Sequence, residues 1–87
     1  MKPCLAITID TESDSAKWQA EKNPKMENLL ALPRLQKIFQ KYKANPTYLI
    51  TYPVCFQSKT VQFLQELQKQ NKIEIGAHLH TWETPPF

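Results

Sequence analysis

The fold that this sequence predicts rests first on one stretch, LAITID at residues 5–10. Its apolar residues alternate with small or polar ones, which is typical of a β-strand with one buried face. Two further strand-like stretches follow at 47–52 and 73–78, and a helical pattern lies between each pair of strands. Alternation of this kind favours a parallel sheet with right-handed crossovers. We therefore predict an α/β fold in the order β-α-β-α-β.

The two connecting helices have recognisable beginnings. Pro33 suits the first turn of a helix over 33–43, because its missing N–H needs no partner there, and a helical turn over 26–32 would precede it. Ser58 can cap a second helix that extends to Gln70. The apolar stripes at helical spacing are Leu35, Ile38, Phe39 and Tyr42 in the first helix and Val61, Phe63, Leu64 and Leu67 in the second.

The composition excludes several classes of protein. A hydrophobic fraction of 41% is too high for a disordered chain. Eleven Lys and Arg against eight Asp and Glu give a net charge of +3 that is scattered over the helical segments, so we expect no nucleic-acid partner. No apolar run approaches the length of about 18 residues that a membrane span needs. One glycine in the whole chain leaves no phosphate-binding loop.

The N-terminus and the cysteines bear on localisation. A strand-like stretch begins directly after Pro3, which leaves no room for a signal peptide. The two cysteines, Cys4 and Cys55, lie far apart and are best interpreted as small hydrophobic residues. We expect a cytoplasmic protein.

Residues with metal-binding chemistry follow the ends of the predicted strands, where functional groups of parallel α/β folds collect. Side-chain alternation places Asp10, His78 and His80 on the side of the sheet away from the helices. Two imidazoles at alternate positions of an extended segment can chelate one Zn²⁺-type ion. Glu12 and Asp14 share the parity of Asp10, and either can supply a carboxylate ligand. The alternative, that both histidines are hydrogen-bonded polar residues of the sheet edge, stays open.

Three of these stretches resemble landmarks of the polysaccharide deacetylase superfamily (carbohydrate esterase family 4, the NodB-homology domain). ITIDTE at 7–12 resembles the family's first motif, a strand that ends in Thr-apolar-Asp-Asp. PTYL at 46–49 resembles the Ala-Thr-Phe-Phe strand after the first helix. EIGAH at 74–78 resembles the opening of the second motif. The three occur in the family's order across nearly the whole chain.

The resemblance implies a distorted (β/α)7 barrel, with residues 1–87 as its N-terminal part. It implies a divalent metal, Zn or Co, and a carbohydrate substrate from which acetyl groups are removed by hydrolysis of a C–N bond. Asp10 matches the general base, and His78 matches a metal ligand. Thr11 and Trp82 stand where the family has a second Asp and a second His, so Glu12, Asp14 and His80 are the candidate replacements.

Two aromatic residues are candidates for substrate binding. Tyr52 ends the second predicted strand, and Trp82 follows the third. Either can offer a sugar-stacking surface, although a hydrophobic loop that covers the barrel rim explains Trp82 equally well.

Two other functions remain open at this point. The chain could be a non-catalytic remnant that binds carbohydrate or is purely structural. It could also be a small α/β module that binds a protein partner, or a second copy of itself, through the open sheet.

Overall fold

The computed structural model describes residues 2–14 and 25–86. Its three strands are β1 (Thr8–Thr11), β2 (Thr47–Ile50) and β3 (Glu74–Ala77). They form one parallel sheet in the order β1-β2-β3. The predicted parallel α/β arrangement is confirmed, and the described strands form an open sheet. Residues 15–24, between β1 and β2, lie outside the described residues.

Two α-helices and two short 3₁₀ helices connect the strands. The chain between β1 and β2 forms η1 (Glu27–Ala31) and then α1 (Leu32–Lys41), and the chain between β2 and β3 forms η2 (Tyr52–Phe56) and then α2 (Ser58–Lys69). Pro33 lies in the first turn of α1, as predicted. The helix ends before Lys43, which has a φ of 54° that an α-helix does not accept. No helix among the described residues is long and apolar enough to cross a membrane.

The strands are shorter than the sequence pattern predicts. Leu5, the first residue of the first predicted strand, lies before β1 and is 83% exposed. Tyr52 was expected at the end of the second strand but begins η2, where Pro53 occupies the first turn. Proline lacks the N–H that continued pairing would require, so a strand does not extend through this position.

Within the sheet, alternation assigns the faces as expected. Ile9, Tyr48 and Ile75 lie side by side in register and contact the hydrophobic core on the helix-covered face. The opposite face carries Asp10 on β1 and Gly76 on β3. A Cβ on Gly76 would come within 2.7 Å of Leu49 Cδ2, the end of a flexible side chain that would have to shift to make room.

The core lies between this sheet and the helices. Its fully buried apolar residues are Leu29, Leu32, Tyr48, Val54, Leu64, Leu67 and Ile73. The stripe predicted for α2 is confirmed at Leu64 and Leu67. The stripe predicted for α1 is wrong at Ile38 and Tyr42, which are 53% and 72% exposed. The helix instead buries a face that includes a polar residue, Gln36.

Gln36 is buried because it pairs with a tyrosine of the central strand. The Tyr48 hydroxyl donates a hydrogen bond of 2.7 Å to Gln36 Oε1, and both side chains are inaccessible to solvent. Burial raises the pKa of Tyr48 from 10.0 to about 12, because the phenolate would lose its hydration. This polar contact fixes α1 over β2.

Removal of one partner should destabilise the protein more than removal of both. Tyr48→Phe leaves Gln36 Oε1 buried without its donor, which we expect to cost about 1–3 kcal/mol of unfolding free energy. The double variant Tyr48→Phe with Gln36→Leu should recover most of that loss, because no buried polar group is left unpaired. Urea denaturation of the three proteins measures the difference. A double variant no more stable than Tyr48→Phe would contradict this account.

The raised pKa of Tyr48 also predicts an alkaline dependence. The folded state holds the phenol proton more tightly than the unfolded state, so the stabilisation is complete below about pH 10 and is lost as the pH rises towards 12. The stability difference between the wild type and Tyr48→Phe should therefore shrink between these two pH values. Tyr42→Phe, at an exposed tyrosine, is the control and should show no such convergence. A difference for Tyr48→Phe that stays constant with pH would count against the burial effect.

Candidate metal centre

The loop after β1 is held to η1 by a set of main-chain contacts. Asn28 Nδ2 donates a hydrogen bond of 2.8 Å to the Glu12 carbonyl, and the Asp14 N–H donates to the Lys25 carbonyl at 2.8 Å. The Asp14 carboxylate accepts hydrogen bonds from the N–H groups of Glu27 at 2.9 Å and of Asn28 at 3.3 Å. Asp14 thus caps η1, and the main chain of Glu12 has a defined position.

The segment after β3 is held by hydrogen bonds as well. The N–H of His78 donates to the Ile50 carbonyl at 2.8 Å and continues the pairing of β2 with β3 beyond the last strand residue. His80 begins a turn: its carbonyl accepts hydrogen bonds from the Glu83 N–H at 3.0 Å and from Thr84 Oγ1 at 2.8 Å. Main-chain hydrogen bonds at His78 and at His80 therefore fix the backbone that carries both histidines.

Glu12 and the two histidines meet at this edge of the sheet. Glu12 Oε2 lies 3.4 Å from His78 Nε2 and 3.0 Å from His80 Nε2. One ligand atom from each of the three residues lies within 4.8 Å of the other two. All three are partly buried. We refer to them as the Glu12–His78–His80 group.

The geometry of the group suits a metal ion. Ligand atoms that are each about 2.1 Å from a tetrahedral ion lie about 3.4 Å apart. The two measured separations, 3.0 and 3.4 Å, lie close to that spacing. Two imidazole nitrogens and one carboxylate oxygen also form the kind of three-residue set that leaves a fourth position open for water or substrate. The Glu12–His78–His80 group can hold a metal ion.

The other acidic candidates lie apart from this group. Asp10 is exposed on the uncovered face of β1, on the same strand side as Glu12 by alternation, and is not one of the clustered ligands. The Asp14 carboxylate accepts the hydrogen bonds that cap η1. The sequence left open whether Glu12 or Asp14 supplies the carboxylate ligand. In the structure Glu12 lies with the two histidines.

A second carboxylate, Glu83, lies behind His80, and the sequence did not single it out. The residue is 6% exposed. Its Oε2 lies 3.2 Å from His80 Nδ1, and its Oε1 accepts a hydrogen bond of 3.1 Å from Ser13 Oγ. The one sequence signal was an acid three residues after a candidate ligand histidine, a spacing that brings the two together only because a turn forms here.

The two aromatic candidates lie beside the two histidines. The Trp82 ring stacks on His80, with the ring centroids 4.4 Å apart and an angle of 22° between the planes. Tyr52 lines an open hollow of about 430 Å³ together with His78, and most of that hollow is apolar. Trp82 thus packs against the candidate ligand His80, whereas Tyr52 lines a hollow next to the candidate ligand His78.

Comparison with models of known protein families, with curated protein sequences and with solved structures finds no significant match. The likeness to polysaccharide deacetylases accordingly rests on the three sequence stretches.

The three residues of the group should bind one divalent ion together. We expect the wild type to bind one Co²⁺ or Zn²⁺, and Glu12→Gln, His78→Ala and His80→Ala each to lose at least about 100-fold in affinity, since a lost ligand costs more than a lost outer partner. Calorimetry and the visible spectrum of Co²⁺ measure this. Glu66→Gln is the matched control, because Glu66 is exposed on α2 and bonds Gln70 at 3.1 Å. Equal losses in Glu66→Gln and Glu12→Gln would reject the assignment.

Proposed function

We propose that this protein is a metal-dependent hydrolase that removes acetyl groups from N-acetylated sugars of a polysaccharide, with Zn²⁺ as its metal. The observation that carries the proposal is the Glu12–His78–His80 group. Glu12 and His78 come from the two stretches that resemble the first and second deacetylase motifs, His80 follows the second stretch by two residues, and ligand atoms of all three lie within 4.8 Å of one another. That convergence supports a common chemical role for the two stretches.

The location of the group agrees with such a role. It lies beyond the carboxyl ends of β1 and β3. Active sites of parallel α/β barrels are found at this end of the strands. We take the open sheet to be the N-terminal part of the family's distorted (β/α)7 barrel.

The ligand set supports a hydrolytic function. A bound divalent ion would act as a Lewis acid toward the amide carbonyl and would lower the pKa of a water molecule at the site. Glu12 and the two histidines would hold the ion and leave one side of it open. Two imidazole nitrogens with one carboxylate oxygen favour Zn²⁺ or Co²⁺ over Mg²⁺ or Ca²⁺, which prefer oxygen ligands.

Asp10 is the proposed general base. It projects from the uncovered face of β1, two residues before Glu12, and its exposed carboxylate is free of the metal-binding group. A base should not be a ligand at the same time, because a carboxylate bound to a cation is a poor proton acceptor. Asp10 would accept a proton from the attacking water.

The substrate would lie along the hollow beside His78. This hollow has a volume of about 430 Å³ and carries the Tyr52 ring on its wall. Clefts of this size are typical of small-molecule sites. A carbohydrate that lies there would place an N-acetyl group next to His78, with Tyr52 against its apolar ring face.

One observation favours a second candidate, a protein that binds carbohydrate without hydrolysing it. Two positions at which the family has metal ligands carry Thr11 and Trp82. Thr11 is 2% exposed and donates its hydroxyl to the Ile9 carbonyl, and Trp82 stacks on His80. A site in which other residues replace the family's metal ligands can still bind a metal ion and a sugar while it hydrolyses the substrate very slowly.

Acetate release distinguishes these functions. The zinc-loaded protein should release acetate from N-acetylglucosamine oligosaccharides, and Asp10→Asn should lower the rate by about 10²–10⁴-fold, since the base is lost while the metal affinity is unchanged. Glu74→Gln is the matched control, because Glu74 is an exposed acid on the same uncovered face and bonds Thr47 Oγ1. Saccharide binding without acetate release would replace the hydrolase by the binding protein. Absence of both would reject the carbohydrate proposal.

A further inference from the structure

The contacts of Glu83 point to a role beyond the group itself. Its side chain is 4% exposed, which makes it the most buried acid among those around the histidines. A buried carboxylate is costly unless its oxygens are hydrogen-bonded. Ser13 Oγ donates to Oε1, which leaves Oε2 for His80 Nδ1 at 3.2 Å. Both oxygens of Glu83 are thus engaged.

This arrangement selects one tautomer of His80. Oε2 of an ionised Glu83 can only accept a hydrogen bond, so Nδ1 must carry the proton. In the neutral ring the lone pair is then on Nε2, the atom that lies 3.0 Å from Glu12 Oε2. A lone pair and a carboxylate that face each other at this distance repel unless a proton or a metal ion binds there, so this tautomer leaves Nε2 ready to bind a metal ion.

The contacts of His80 with Trp82, with Thr84 and with the Glu83 N–H do not depend on which ring nitrogen carries the proton. Trp82 stacks on the ring face, and stacking is nearly the same when the ring is flipped and its two nitrogens are exchanged. Thr84 Oγ1 and the Glu83 N–H bind the His80 carbonyl and so hold the main chain. Two described contacts of the ring depend on its orientation: Nδ1 lies 3.2 Å from Glu83 Oε2, and Nε2 lies 3.0 Å from Glu12 Oε2. Once an ion occupies Nε2, the contact with Glu83 alone can hold a ring proton, and it distinguishes the metal-binding orientation from the flipped one.

We propose that Glu83 is a positioning residue that fixes the tautomer and orientation of His80 for metal binding, and that Ser13 holds Glu83 in place. Carboxylate–histidine–metal arrangements of this kind raise the basicity of the ligand and fix its ring. Ser13 and Glu83 lie 70 residues apart in the sequence, so the relay also ties the loop after β1 to the turn after β3. The inference rests on the metal site proposed above.

Metal affinity and ring tautomer together test this role. We expect Glu83→Ala to weaken Co²⁺ binding by about 10–100-fold and to change the visible spectrum of the bound ion, because His80 is no longer held. Glu83→Gln should lose about tenfold, at the lower end of that range, because its amide oxygen still accepts from Nδ1. In metal-free protein that carries Glu12→Ala, which removes the competing acceptor at Nε2, ¹⁵N NMR at a pH where the ring is neutral should show the His80 proton on Nδ1. Glu83→Ala should shift it towards Nε2.

The control is Thr84→Val, which removes another hydroxyl bond from the same turn without touching the His80 ring. It should keep the wild-type tautomer and Co²⁺ affinity, whereas Ser13→Ala should weaken binding. Glu83→Gln decides the matter if Glu83→Ala does not fold. A wild-type Co²⁺ affinity in Glu83→Gln, or losses no larger than those of Thr84→Val, would overturn the role. If the wild type bound no metal but its tautomer still depended on Glu83, the proposed function would fail while the positioning of His80 stood.

Discussion

The structure depends on the parallel pairing of the central strand β2 with both of its neighbours. That pairing continues past the strand ends: the Thr51 N–H donates to the Thr11 carbonyl at 3.1 Å, and the His78 N–H donates to the Ile50 carbonyl at 2.8 Å. Because all three strands point the same way, the chain leaves each of them at one edge of the sheet. Glu12 and the two histidines come from opposite sides of β2, and they meet only because β2 holds both neighbours in register.

Buried polar contacts then remove the remaining freedom. Tyr48 and Gln36 join the central strand to α1, and Ser13 and Glu83 join the two loops that carry the metal ligands. The loss of one partner from either pair is destabilising, because the other polar group then stays buried without water or a hydrogen-bond partner. A misregistered strand or a rotated helix would break these pairs, so they disfavour alternative packings that an apolar core alone would tolerate. The first pair lies between the sheet and α1, whereas the second lies at the edge that carries the candidate metal site.

Local pattern was sufficient for the order of elements along the chain, for the parallel sheet and for the parity of the candidate ligands. Alternation along β1 and β3 placed Asp10 and Gly76 on the uncovered face, where the structure has them. It failed where tertiary contacts decide. Ile38 was expected in the core on helical spacing, but α1 turns a different face inward because Gln36 has a partner in Tyr48. Spacing identifies apolar stripes and gives no sign that a buried glutamine oxygen will accept a hydrogen bond from a residue on another element.

The candidate site shows the same division. His78 and His80 could be paired from sequence because residues two apart on an extended segment share a side. Glu12 and Asp14 could not be separated, since the difference between them arises after the strand, where Asp14 turns to cap η1. Glu83 left almost no local signal, because its two contacts are a turn that forms at His80 and a hydroxyl on a distant loop. The residues that line a site were thus more predictable than the residue that orients them.

A metal at this site would act on the fold as well as on chemistry. Its ligands come from two loops that are far apart in the chain, so the complete set exists in the folded state alone. An ion that binds only the folded state stabilises it, by about 2.7 kcal/mol at a concentration of 100 times its dissociation constant. That is a substantial fraction of the stability of a small domain, which is typically about 5–15 kcal/mol. Glu83 contributes to the same linkage, because it holds His80 in the turn after β3 and accepts a hydrogen bond from Ser13 in the loop after β1. The edge of the sheet where the strands leave the core is therefore both the proposed reactive site and a place where ligand binding would reinforce strand register.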